Sequence, residues 1–304
     1  MKKHFRFRYA VEYIILYIIY IIVNVTPYRF THVIASVISF AGFSVFKIRR
    51  EETVQRIMDA LGVPKLKAES IARRSYFNIA AASLEFIRFK RLRNIFEKGY
   101  ISIENLDVAK TLQEEGKGAV FAAMHSGSWE VSGAIFDFLG MHMFYVVGIQ
   151  HNPYVDNLIN RMRKAVGVEL IPKKGALKHV FRRLKRGEFL GIVADQHVAG
   201  DSVTVELFGM ETSAPKGPAA FARKTGVPII PYVTTRKDVY KHHVILYDPI
   251  YPDQNLSREE DIFRMTQEYN RVFEGIIRKH PEDWFWLHRR WRAGQSLETL
   301  NPKL

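Results

Sequence analysis

The residues best suited to chemistry stand in one run, Val120-Phe-Ala-Ala-Met-His125-Ser-Gly-Ser-Trp-Glu130, where a histidine follows an apolar stretch and a glutamate comes at the fifth position after it. In one continuous ideal helix these side chains would point about 140° apart and would not meet. Gly127 and Ser128 break that regularity. With His125 in a strand-to-helix turn and Glu130 in the first turn of the helix, the carboxylate can reach one imidazole nitrogen and leave the other free to take a proton. Such a pair suits general-base activation of a hydroxyl that attacks an ester or thioester, with no enzyme nucleophile needed. The same residues also fit a histidine that merely caps a strand end.

Other groups are candidates for binding. Asp195-Gln196-His197 follows an apolar run, the place where α/β sheets present ligand-binding residues, although Asp195 can equally cap the next turn. Arg163 stands among Arg161 and Lys164 and reads either as a site residue or as part of a solvated helix face. Arg289 and Arg290, beside Trp284, Trp286 and Trp291, can hold phosphates while the aromatics settle at a lipid interface; a packed helix end with exposed arginines is the alternative. No metal-binding pattern emerges from the eleven histidines: His242 and His243 are adjacent, and H-E-x-x-H is absent. Neither G-x-G-x-x-G nor G-x4-G-K-S/T occurs, so no nucleotide or other cofactor is expected. The absence of cysteine removes disulfides, thiolate metal sites and Cys nucleophiles.

These groups need a scaffold. Gly118–Met124, Met143–Ile149, Phe189–Ala194, Val227–Thr234 and His243–Tyr247 are short apolar or β-branched runs. Between them lie segments of helical character, Ser128–Phe138, Val155–Val166, Leu177–Arg186 and Gly217–Thr225, and Asp261–His280 reads as a long closing helix. Strands alternating with helices predict an α/β fold, a central mostly parallel sheet flanked by helices. Residues 49–105 read as a helical cap broken once at Pro64, so 49–304 is expected to be one domain behind an N-terminal segment, 1–48.

That segment starts with Lys2, Lys3, Arg6 and Arg8 and runs into Tyr9–Val25, apolar or aromatic except at Glu12 and Asn24. It is of membrane grade in composition, at the short edge of what spans a bilayer, and lacks a small-residue cleavage site; a retained anchor is expected. A second stretch, Phe30–Phe46, either crosses or lies flat, and both stretches can alternatively be buried helices of a soluble domain. Basic residues flank both, which favours two crossings, an outside N-terminus or helices within one leaflet, with the body facing the cytoplasm. At 304 residues, 47% hydrophobic and 25% charged, the chain can bury a full core, which excludes disordered and fibrous classes. Its net charge of +14 points to an anionic partner: nucleic acid, phospholipid headgroups or an acidic protein.

His125-Ser-Gly-Ser-Trp-Glu130 resembles the H-x4-D/E motif of glycerolipid acyltransferases, in the H-x4-E form typical of the bacterial lipid A biosynthesis acyltransferases. Asn152-Pro153 followed by Arg163, Gly187-Glu188, Ala194-Asp195-Gln196 and Trp286-Leu-His-Arg-Arg-Trp291 resemble further blocks of that family, and the likeness spans nearly the whole chain. It departs from the family at Pro215-Lys216-Gly217-Pro218, which intervenes after Phe208-Gly209. The resemblance implies an inner-membrane enzyme, its catalytic domain facing the cytoplasm, that moves an acyl chain from an acyl carrier protein thioester to a hydroxyl of a phosphorylated glycolipid acceptor, a lipid A precursor. It implies His125 as general base, Glu130 orienting it, and Arg163, Asp195 and Gln196 around the acceptor or the oxyanion. A basic, membrane-anchored body would attract both an acidic carrier and lipid phosphates, whereas a nucleic-acid partner needs no anchor. The densest docking run for the carrier is Arg88, Lys90, Arg91 and Arg93, with Lys173, Lys174 and Lys178 next. Two alternatives remain: an acyltransferase of the phosphatidylinositol mannoside type using acyl-CoA, and a non-catalytic binder of anionic lipid or nucleic acid, which would have no need of the His125 and Glu130 dyad.

Overall fold

The computed structural model describes residues 7–172, 175–198, 200–238 and 241–291; Lys2, Lys3, Arg6, Lys173 and Lys174 lie outside them. Helices α1 (Phe7–Val25), α2 (Thr31–Phe40), α3 (Arg50–Leu61), α4 (Lys65–Ile87) and α5 (Leu92–Glu97) lead into strand β1 (Ile101–Glu104) and helix α6 (Asp107–Glu114). The chain then alternates through β2 (Ala119–Ala123), α7 (Trp129–Phe138), β3 (Met143–Val147), α8 (Pro153–Lys164), β4 (Glu169–Pro172), α9 (Ala176–Leu184) and β5 (Phe189–Val193). A hairpin of β6 (Ser202–Leu207) and β7 (Met210–Pro215) precedes α10 (Gly217–Thr225), β8 (Ile229–Arg236), β9 (His242–Leu246) and α11 (Arg258–Lys279).

Seven strands form one sheet in the order β1-β9-β8-β2-β5-β3-β4. Every neighbouring pair is parallel except β8 with β9. The expected α/β architecture with a mostly parallel sheet is therefore the one found. Strand β2 is central, and its five residues are all buried. Successive side chains point to opposite faces, so Val120, Ala122 and Met124 join one core with α3, α9, α10 and α11, while Ala119, Phe121 and Ala123 join another with α6 and α7. This double coverage explains the unbroken apolar character of β2.

Two strands of the main sheet, and both strands of the β6–β7 hairpin, were hidden from pattern reading. Ile101–Glu104, assigned to the helical cap, is instead the edge strand β1, paired parallel with β9. Glu169–Pro172 forms the other edge, β4. Local capping chemistry accounts for the helix starts. Asn152 accepts backbone N–H bonds from Tyr154 (3.0 Å) and Val155 (3.5 Å) at the head of α8, with Pro153 at the first helical position. Ser257 and Glu260 form a reciprocal capping box on α11.

Among the described residues, α1 is the one helix both long and apolar enough to cross a membrane by itself, and only 6% of its most apolar window is buried. Ile14, Ile15, Ile18, Ile21 and Ile22 face outward. The second apolar stretch is a shorter α2 and a π turn (Ala41–Val45), bent 92° from α3. Fifteen residues of helix rise only about 22 Å, less than a hydrocarbon core of roughly 30 Å. Ala35 of α2 is buried against Ala81 and Leu84 of α4, while Val33, Val37 and Phe40 stay exposed. In the basic run after α4, Lys90, Arg91 and Arg93 are exposed, but Arg88 is buried and donates to the carbonyls of Val23 and Thr26. Arg88 thus caps the end of α1, where a cation meets the negative helix terminus, and is not part of an exposed docking face.

Candidate active site

Parallel pairing of β2 with β5 sets Ala123 opposite Val193. Two residues farther on, each chain leaves the sheet at its carboxyl end, so His125 and Asp195 arrive side by side. His125 Nδ1 lies 2.6 Å from Asp195 Oδ1, and the His125 backbone N–H donates to Asp195 Oδ2 at 3.0 Å. The Trp284 indole N–H donates to the same Oδ2 at 2.8 Å. Burial works to raise the Asp195 carboxyl, but the neighbouring His125 and these three donors outweigh it and hold the group below the usual carboxylate range. A carboxylate on Nδ1 selects the tautomer with hydrogen there, which leaves Nε2 as the proton acceptor. Gln196 Nε2 stands 3.4 Å from it.

The turn that carries His125 is held from three sides. Gly127 has φ +51°, and a Cβ there would come within 2.6 Å of the Thr234 carbonyl oxygen. Ser126 Oγ donates to that same carbonyl at 2.7 Å, at the end of β8. The segment after α11 runs alongside: Gly127 N–H donates to Asp283 O (2.9 Å), Phe285 N–H donates to His125 O (3.0 Å), and Ser126 bridges Trp284. Trp129 and Phe285 flank the imidazole at centroid distances of 5.3 Å and 6.1 Å.

Glu130 does not orient His125. Its carboxylate is paired with Arg163 of α8, from Nε at 3.1 Å and Nη2 at 2.5 Å, a bidentate contact. The first helical turn of α7 directs Glu130 toward α8, while the register of β2 and β5 has already supplied Asp195 to the ring. Arg163 accordingly stands as the partner of Glu130, and its guanidinium lies 5.6 Å from the Phe86 ring centroid. The pair lines an apolar cavity of about 90 Å³ with Trp129, Tyr145, Val193 and Tyr232. Glu130 and Trp129 also line a second cavity of about 190 Å³, together with Leu16 of α1, Phe86 of α4 and Met162 of α8. His125 is not in either wall; Trp129, beside its ring, is common to both. Gly191 leaves room for Tyr145, whose Cε1 would be 2.1 Å from an added Cβ.

The Trp and Arg block does not meet a lipid surface. Trp284, Trp286 and Trp291 are buried and pack against one another and Phe208. Arg290 is fully buried, donates to Ser213 O and Asn270 Oδ1, and is pulled down to about 10 by that burial. It is a structural cation out of reach of a phosphate. Arg289 is exposed but paired with Glu52 at 2.9 Å and 3.0 Å. Sequence marked Trp284 only as an interfacial aromatic, whereas it holds Asp195; it assigned no role to His288, whose Nε2 accepts the His197 backbone N–H at 3.0 Å and so ties down the segment after Asp195. Burial lowers His288 to about 4, which keeps it the neutral acceptor this bond requires. Their signal was the clustering of Trp and His near the C-terminal end. Among the described residues no group of three or more His, Cys, Asp or Glu could hold a metal ion.

The model of the bacterial lipid A biosynthesis acyltransferase family matches residues 1–293. The chain belongs to that family. The chain is also similar to the phosphatidylinositol mannoside acyltransferase of Mycolicibacterium smegmatis, 27% identical over 206 residues, 65% of this chain and 64% of the relative. The Mycobacterium tuberculosis protein of the same name is 27% identical over 224 residues, 70% of this chain and 66% of the relative. The match thus spans a little under two thirds of these mycobacterial relatives. The lipid A biosynthesis lauroyltransferase of Escherichia coli is 29% identical over 144 residues, 47% of this chain and 46% of the relative.

Proposed function

We propose that the protein is a membrane-associated O-acyltransferase that transfers a fatty acyl chain from acyl carrier protein to a hydroxyl of a lipid A precursor. The observation that carries the reading is the His125 and Asp195 pair at the carboxyl ends of adjacent parallel strands, with Nε2 left as acceptor. The acceptor hydroxyl gives its proton to His125 Nε2 as its oxygen bonds to the thioester carbonyl carbon. The tetrahedral intermediate then collapses, the carbon–sulfur bond breaks, and the carrier's thiolate takes the proton back from the imidazolium. Asp195 stays ionised and stabilises that imidazolium. Arg163, fixed by Glu130, and the free N–H groups at the start of α7 supply positive charge for the oxyanion. The apolar cavities beside Trp129 and Glu130 take the acyl chain.

The inner membrane is the place for this reaction, with α1 in lipid and the sheet on the cytoplasmic side, where carrier thioesters are made. Exposed Lys90, Arg91 and Arg93 are the carrier's docking charges. A second reading, a phosphatidylinositol mannoside acceptor with acyl-CoA as donor, is favoured by the mycobacterial relatives. A membrane-fraction assay with radiolabelled lipid A precursor or phosphatidylinositol mannoside, each offered acyl carrier protein thioesters and acyl-CoA, tests both. Label moving onto the lipid A precursor from carrier thioesters supports the first reading; transfer onto the mannoside alone replaces it, and no transfer to either overturns both.

A further inference from the structure

Away from the reacting centre, α8 lays a second row of side chains beside α1. Helical periodicity brings positions 154, 157, 161 and 164 onto one face, and Tyr154, Asn157, Arg161 and Lys164 are all exposed there. Arg163, by contrast, points across the helix to Glu130. Facing the row is a ladder of tyrosines on α1: Tyr13 and Tyr17 have centroids 5.7 Å apart, Tyr17 and Tyr20 6.0 Å, and Tyr13 and Tyr154 6.0 Å. Tyr13, Tyr154, Asn157, Asn160, Arg161 and Lys164 wall a groove of about 380 Å³. Among the described residues, neither Arg161 nor Lys164 has an acidic partner within 4.0 Å.

Two unneutralised cations with an amide and phenol hydroxyls are the donor set for an oxyanion carrying sugar or glycerol hydroxyls. Location names the source. The next face of α1 exposes Ile14, Ile15 and Ile18, each about half accessible, a surface suited to lipid. Tyrosine at such a boundary keeps its ring against acyl chains and its hydroxyl among headgroups. Basic groups beside a membrane helix on this boundary attract lipid phosphates.

We propose that this groove binds the phosphorylated headgroup of a membrane lipid, with Arg161 and Lys164 on the phosphate and Tyr13 and Tyr154 against the part nearest the acyl chains. The inference rests on α1 lying in lipid, as in the reading above. The phosphate belongs either to the acceptor glycolipid or to an anionic phospholipid of the surrounding bilayer, and the test separates the two sources.

The test compares the full chain with the double variant Arg161→Gln, Lys164→Gln; both positions are exposed, where substitutions leave folding nearly unchanged. One arm measures flotation with phosphatidylcholine vesicles, with and without phosphatidylglycerol. The other measures apparent KM in neutral detergent for lipid A precursor and for the same lipid after phosphatase treatment. Roughly tenfold weaker binding to the phosphatidylglycerol vesicles alone identifies bulk phospholipid as the occupant. A roughly tenfold higher KM for the phosphorylated precursor, with the dephosphorylated form unaffected, identifies the acceptor. A variant equal to the parent in both arms overturns the proposal. If the parent acylates no lipid, the acyltransferase reading fails while flotation still decides the groove.

Discussion

His125 and Asp195, separated by most of three βα units along the chain, are brought to 2.6 Å because β2 and β5 are parallel neighbours in register. Each residue stands two positions beyond the paired Ala123 and Val193, so the sheet alone fixes their contact. Trp284 and the His125 backbone N–H then hold the carboxylate's second oxygen, which leaves it no freedom to turn away.

Asp195→Asn should therefore do more harm than loss of a charge. Two donors converge on Oδ2, so the amide oxygen must settle there and its NH2 must face Nδ1 of the ring. The imidazole then takes the opposite tautomer and Nε2 carries hydrogen. Turnover should fall about 10²- to 10⁴-fold with the fold retained, measured as kcat alongside a melting curve. A variant within tenfold of the parent would mean that Asp195 only anchors the turn.

Glu130 and Arg163 should behave as one unit. Each alanine variant is expected to lower kcat about 10²-fold, and the double variant little more than either. If the two losses multiply, Glu130 acts apart from Arg163.

A second buried pair lies outside the site: Arg236 donates to both oxygens of Glu85, at 2.7 Å and 2.8 Å, and both side chains are at most 5% exposed. Burial opposes the charge on Glu85, but His242 and Arg236 hold its carboxyl well below the usual range. Glu85→Ala removes the buried carboxylate that Arg236 and His242 share and should cost about 3–5 kcal/mol, read from urea unfolding. A loss under about 1 kcal/mol contradicts this, being the scale of a surface pair.

For His288, burial lowers the group from 6.5 to about 4. The unfolded chain then binds more protons than the folded one between those values, so this contribution to stability is complete above pH 6.5 and lost as pH falls toward 4. Asp283, raised to about 7 by burial, acts in the opposite sense, so the parent curve alone does not isolate His288. The difference in unfolding free energy between the parent and His288→Gln, followed from pH 7 to pH 4, should narrow steadily on the acid side. A constant difference would show that His288 does not titrate in that window.

The sheet was legible because β2, β3, β5, β8 and β9 are apolar runs punctuated by helices. The edges β1 and β4 were not, since each is four residues long, Ile-Ser-Ile-Glu is half polar, and Glu-Leu-Ile-Pro sets only two apolar residues between a charge and a proline. In the site, His125, Glu130, Arg163, Asp195 and Gln196 were all marked from sequence, but the partners were exchanged. Spacing along the chain paired His125 with Glu130; register across the sheet pairs it with Asp195. Nothing local announces that, because the register depends on strands 70 positions apart. Arg290 was misplaced for a related reason: a charged residue near a chain end reads as exposed unless its buried acceptors, Ser213 O and Asn270 Oδ1, are known.

The most direct measurement is acyl transfer by purified His125→Ala. With lipid A precursor and carrier thioester at saturation, turnover should drop about 10²- to 10⁴-fold, while melting temperature and membrane association match the parent. Turnover close to that of the parent would make His125 a structural residue and contradict general-base catalysis at this site.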